Sequence, residues 1–156
     1  MKALLCWTLA AVGLSGVWLA QSAGTKYAGP GSAGEKLIGA WRLAWMEEPG
    51  VDERVIRIID REGMLIFTRD GHMSVQITFP KSQSGLSNEY VQGGYEASFG
   101  SYEVNEEAHT VTHHEKGSIA RALVGKDLTR GYRLSDGQLI INSSWRDEHW
   151  SVAQHY

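Results

Sequence analysis

From Leu37 onward, apolar and polar residues alternate in short runs broken by turn residues, the period-two signature of strands with one buried face. Trp41, Leu43 and Trp45 share one face of the first run, Val55 to Ile59 forms a second, and Trp150 and Val152 share a face of the last. Two Asp-Gly dipeptides set register. In Arg69-Asp70-Gly71-His72 a two-residue hairpin turn pairs Arg69 with His72, Thr68 with Met73, Ile66 with Val75 and Met64 with Ile77. The face carrying Met64, Ile66, Thr68, Met73, Val75 and Ile77 is the more apolar and is assigned to the interior. Ser135-Asp136-Gly137-Gln138 repeats the pattern, pairing Leu134 with Leu139, Tyr132 with Ile141, Arg130 with Ser143 and Leu128 with Trp145. A third hairpin around Glu106 to His109 sets Val104 opposite Val111 and Tyr102 opposite His113, with Glu115 on the same face. Between Pro80 and Phe99 the alternation fails. Asn88 is a helix-capping residue type, so Glu89 to Ser98 reads as a short helical insertion or lid, weakened by Gly93 and Gly94.

The first residues obey a different rule. Lys2 precedes an apolar run from Ala3 to Ala20, and small residues follow at Ser22 and Ala23, the layout of a secretory signal cleaved after Ser22 or Ala23. An uncleaved membrane anchor is the other reading, which Gly13, Ser15 and Gly16 weaken. Ala23 to Glu35 is rich in Gly, Ala and Ser without periodicity. The chain therefore divides into a signal at 1–22, a flexible leader at 23–36 and one domain at 37–156. Its 156 residues hold one domain with a core, not two. The single cysteine, Cys6, lies in the signal, so no disulfide is expected after cleavage into an oxidising compartment. Secretion or a bacterial periplasmic location is expected. The formal net charge is −3, and one more negative without Lys2. The charges are interspersed, with no basic stripe to favour nucleic acid or an anionic membrane.

At the mouth of the first strand, Gly39 lets the chain bend sharply and Trp41 can plug the narrow end of a small barrel. Gly39-Ala40-Trp41-Arg42-Leu43 joins several other segments in a set order: Gly63 to Thr68 leading to Asp70 to Gln76, Phe99-Gly100-Ser101-Tyr102-Glu103-Val104, Thr110 to His114, and Arg130 to Leu134 before Asp136-Gly137. In these segments the chain resembles the lipocalin-like domain family of bacterial and fungal proteins, along nearly all of the part after the leader. The resemblance implies an all-β, antiparallel, up-and-down calycin-type barrel of about eight to ten strands, with a short helix or lid, holding a small and mostly apolar molecule. Similar barrels have been recruited as isomerases or cyclases, so fold alone does not fix function. They also use an arginine to close the barrel by stacking on the Gly-x-Trp tryptophan, a role open to Arg130. Secreted lipocalins usually carry a disulfide, and this chain departs from them there.

The inward-facing polar candidates are His113, Glu115 and Arg130, with Tyr102 opposite His113. An imidazole beside a carboxylate is a usable acid–base pair, and an arginine in an apolar tube can hold a carboxylate, phosphate or enolate oxygen. The competing readings are structural. His113 can be satisfied by Tyr102, Glu115 can reach water at a strand end, and Arg130 can stack on Trp41. His113 and His114 are adjacent on a strand and point to opposite faces, so they do not converge on one metal, and no metal or cofactor is expected. Trp45, Met73, Tyr102, Tyr132 and Trp145 would form an apolar wall, with Ile66, Val75 and Ile141 completing it and His113 and Arg130 as its polar points. Met64 and Met73 make such a wall adaptable.

The function expected is capture or carriage of a small hydrophobic molecule in the lumen, by a monomer or homodimer with no nucleic-acid or membrane partner after cleavage. The alternative is a barrel enzyme of isomerase, cyclase or hydratase type using His113 or Glu115 as acid or base.

Overall fold

The computed structural model describes residues 31–49, 54–143 and 149–155. The expected signal, most of the leader and Trp145 lie outside these residues. The chain enters through a one-turn-plus helix, α1 (Ala33–Leu37), where the leader was expected to continue. Ser32 caps it, its hydroxyl accepting from the Glu35 N–H at 3.2 Å, which satisfies one of the helix's otherwise unpaired donors. The Gly34 N–H donates to Glu106 Oε1 at 3.1 Å, fixing the helix to the far hairpin loop. Gly39 then adopts φ 144°, a conformation closed to other residues, and the chain turns into the sheet.

Nine antiparallel strands follow among the described residues: β1 (Gly39–Pro49), β2 (Val55–Ile58), β3 (Glu62–Phe67), β4 (His72–Thr78), β5 (Tyr95–Asn105), β6 (Thr110–Ser118), β7 (Asp127–Ser135), β8 (Gln138–Ser143) and β9 (His149–His155). Strands β3 to β9 pair in sequence order, and β1 pairs with both β3 and β9, closing the ring. β2 pairs only with the last residues of β1, from Met46 to Pro49. The expected all-β, up-and-down meander is what forms. Helix α1 and the β3–β4, β5–β6 and β7–β8 hairpins share one end, the helix end; the longer connections occupy the other, the loop end.

The Asp136-Gly137 hairpin adopts the expected two-residue turn, with φ 50° and 75°, and pairs Tyr132 with Ile141 and Arg130 with Ser143. Tyr102 lies opposite His113 and Val104 opposite Val111, also as expected.

The Asp70-Gly71 hairpin is different. Only Gly71 has positive φ (82°), and Thr68 pairs with His72 around a three-residue loop, its N–H donating to His72 O at 2.8 Å. The register therefore moves by one residue: Leu65 faces Val75 and Phe67 faces Met73. A one-residue slip turns a strand over. Leu65 and Phe67 are buried, whereas Met64 and Ile66 are half-buried on the opposite face, so Ile66 is removed from the expected inner wall.

Strand β1 carries a second correction. Its pairing with β9 shifts between Leu43 and Trp45, so the interior sequence runs Trp41, Leu43, Met46. Trp45 instead lies on the face of Glu47, with the Arg57 guanidinium 4.5 Å from its ring centroid. β9 pairs Val152 with Leu43 and Trp150 with Met46. The expected helix at Glu89 to Ser98 does not form either. The Asn88 side chain caps a turn, accepting from the N–H groups of Tyr90 and Val91 at 2.8 and 2.9 Å, and β5 begins at Tyr95. Two consecutive glycines with positive φ at 93 and 94 terminate that loop and are incompatible with a continuing helix. The 80–94 connection contains only a one-turn 3-10 helix (Lys81–Gln83), yet it contributes Val91, 2 % exposed, to the core.

The core has an apolar floor at the helix end. Leu37, Trp41, Phe67, Val111, Leu139 and Ile141 are the most completely buried side chains. The Trp41 indole N–H donates to Leu37 O at 2.8 Å, so the tryptophan plugs the barrel and pairs one of the helix's terminal carbonyls.

Candidate functional site

Above the floor the interior becomes polar. Strands β5, β6 and β7 turn Glu96, Ser98, His113, Glu115 and Arg130 inward, all 9 % exposed or less, and Arg61 joins them from the β2–β3 connection. The bulge between Phe99 and Gly100 aligns this set by placing Gly100 opposite Glu115. Gly100 is required there, because a Cβ would lie 1.9 Å from His114 O.

His113 is the centre of the cluster. It is 2 % exposed, and neither ring nitrogen has a hydrogen-bond partner. Tyr102 does not satisfy it; the phenol donates to Thr68 O at 2.9 Å, towards the hairpin. The Phe67 ring packs edge-on against both the Tyr102 and His113 rings, at 4.7 and 5.7 Å. Burial pushes the His113 pKa down to about 3, helped by the positive charge of Arg130 and by His114. The imidazole is therefore neutral at physiological pH, with one donor and one acceptor nitrogen.

Glu115 lies two residues further along the same face. Burial raises its pKa, while a hydrogen bond with Ser98 and the nearby Arg130 oppose that shift. Its Oε2 has no partner. The expectation that Glu115 reaches water is not met, since the residue is 3 % exposed. The Arg130 guanidinium lies 5.7 Å from the Tyr90 ring centroid, so the 80–94 connection closes over it from the loop end. Arg61 sits 4.3 Å from the Phe79 centroid and directs Nη1 to Met46 Sδ at 3.1 Å.

Of the expected wall, Met73, Val75 and Ile141 line the interior at 3, 4 and 1 % exposure. Tyr102 and Tyr132 face inward nearer the helix end. The Tyr132 ring meets His109 edge-on at 6.1 Å, its pKa is raised by burial and by Glu106, and its buried hydroxyl has no hydrogen-bond partner. Trp45 and Ile66 face away, and Trp145 is outside the described residues. Adjacent His114 points outward to Asp127, with Nδ1 2.7 Å from Oδ1. Among the described residues no three His, Cys, Asp or Glu side chains group as metal ligands. No described helix is long and apolar enough to cross a membrane.

Arg61, Glu96, Ser98 and Tyr90 were not anticipated. Glu96 and Ser98 alternate with Ala97 and Phe99, a strand signal hidden by the helical reading of the same segment. Arg61 and Tyr90 come from connections, where no periodicity marks an inward residue.

A family model described as "Lipocalin-like domain" matches residues 38–154. The chain belongs to the lipocalin-like domain family. Among solved structures, this lipocalin-like chain is similar to a lipocalin-like protein from Bacteroides uniformis, at 14 % identity and a TM-score of 0.47, covering 76 % of this chain and 98 % of that one. It is also similar to an uncharacterized protein from Bacteroides eggerthii, at 16 % identity and a TM-score of 0.46, covering 77 % and 99 %. No curated protein matches it.

Proposed function

We propose that this lipocalin-like protein binds a small, mostly hydrophobic molecule in the barrel, with His113 and Arg130 holding its polar end. The supporting observation is His113: a buried neutral imidazole with both nitrogens unpartnered, in a barrel whose other polar groups converge on the same strands. An unmade hydrogen bond in the interior costs about 1–3 kcal/mol. A ligand that supplies the partner recovers that energy, which is a physical reason for keeping a histidine there. The signal's basic start, apolar run and small-residue cleavage site support a secreted or periplasmic setting, and the interspersed charge fits a protein with no nucleic-acid or membrane partner.

Titration with the neutral dye Nile red tests this directly. Saturable uptake at one site per chain, weakened about tenfold by His113→Ala, is expected. Absence of uptake by the folded protein would remove the reading.

A second reading has its own observation. A carboxyl with a raised pKa and a neutral imidazole share one strand face two residues apart, which is how an acid and a base are held ready together. A barrel isomerase, cyclase or hydratase would show turnover with a bell-shaped pH profile, lost on His113→Ala while binding persists.

A further inference from the structure

We infer that the polar end of the bound molecule is an uncharged hydroxyl, and that carboxylates and amines are excluded by the charge balance around His113. The inference rests on the binding function proposed above and specifies its ligand class.

The buried arginines and glutamates among the described residues are equal in number. Arg61 and Arg130 are 8 and 6 % exposed, and Glu96 and Glu115 are 6 and 3 % exposed. Arg130 is close enough to both Glu115 and His113 to shift their protonation, so the three groups share one region of the interior. A carboxylate brought to Arg130 would meet Glu115 at the same place. An ammonium brought to Glu115 would meet Arg130. Either head group would leave one charge uncompensated in a medium of low dielectric, where an unpaired ion is strongly disfavoured. A bare arginine in an apolar tube would favour an anion; this arginine has a carboxyl beside it and the Tyr90 ring over it.

The unpartnered atoms point the same way. A neutral imidazole presents one N–H and one lone pair, and a hydroxyl is the small group that can answer either. Glu115 Oε2, also unpartnered, adds a second hydrogen-bonding position on the same face. The rest of the molecule would then lie along Met73, Val75 and Ile141, which are apolar and buried.

The test is a matched series of probes with one chain length: decanol, decanoate and decylamine, each displacing Nile red from the purified protein at neutral pH. Decanol is expected to bind at least tenfold more tightly than either charged probe. His113→Leu should weaken decanol binding about tenfold, and His113→Gln, which keeps a donor and an acceptor, should restore part of it; unchanged decanol affinity in His113→Leu would overturn the inference. Decanoate binding as tightly as decanol or tighter would overturn the inference while leaving lumen binding intact. Decylamine doing so would overturn it in the same way. Failure of all three probes and of the dye would instead remove the binding function, and the inference with it.

Discussion

The two halves of the barrel interior solve the same packing problem with opposite chemistry. At the helix end, Leu37, Trp41, Phe67 and Leu139 are 0–2 % exposed, the Trp41 indole N–H is paired to Leu37 O and the Tyr102 hydroxyl to Thr68 O, while the buried Tyr132 hydroxyl has no partner. In the middle and towards the loop end, Glu96, His113, Glu115 and Arg130 are nearly as buried, yet His113 and Glu115 keep atoms without partners. The floor is built mainly for stability, because its interior is dominated by dense apolar packing, with the Tyr132 hydroxyl as an exception. The upper interior gives up some of that stability, and strained or unsatisfied groups concentrate where a protein does its work.

The largest effect should come from breaking the floor. Trp41→Ala removes the plug and leaves a cavity, and should cost about 3–5 kcal/mol in denaturant unfolding. A loss under about 1 kcal/mol would mean that the helix end is not the stability centre. Next comes acid. Unfolded His113 takes up a proton below its ordinary 6.5, while the folded residue resists until about 3. Stability contributed by the neutral histidine is thus present above 6.5 and lost as pH falls between these values, with a slope approaching about 1.4 kcal/mol per pH unit. His113→Phe should flatten that part of the stability profile; an unchanged acid limb would show that the imidazole is protonated in the fold.

Glu115 acts in the reverse sense. Its folded pKa is raised, so the wild type loses stability as pH climbs from the ordinary carboxyl range through the folded value. The stability difference between Glu115→Gln and wild type should therefore shift in the variant's favour with rising pH, and a difference constant across that range would contradict a buried, unsatisfied carboxyl. The smallest effect should be Tyr102→Phe. It removes the hydrogen bond to Thr68 O, costing about 1 kcal/mol, and should leave the acid limb and Nile red affinity unchanged. A matching loss of dye affinity would place Tyr102 in the site instead of the floor.

How far each feature was legible is clearest in the two Asp-Gly hairpins. At Asp136-Gly137 local chemistry decides: two residues that tolerate positive φ make the turn whose twist suits the flanking strands, and the pairing of Arg130, Tyr132 and Ile141 follows. At Asp70-Gly71 the same dipeptide is drawn into a longer loop. The Thr68 hydroxyl bonds to Asp70, the His72 N–H donates to Thr68 Oγ1 at 3.0 Å, and β5 reaches across with the Tyr102 N–H to Gly71 O at 3.0 Å. Met64 to Phe67 are apolar at every position, so the strand itself offered no alternation against which to check the register.

The sequence by itself determined the meander, the Gly39 bend, the tryptophan plug and the inward face of His113, Glu115 and Arg130, because period-two patterning and turn chemistry are local properties. Tertiary structure alone decided which face of β3 lies inside, that a bulge at β1 turns Trp45 out and Met46 in, and that Tyr102 leaves His113 unpartnered. It also supplied Glu96 and Arg61, whose charges balance the interior. Those outcomes depend on hydrogen bonds and close approaches between segments distant in the chain, and such contacts exist only once the barrel is closed.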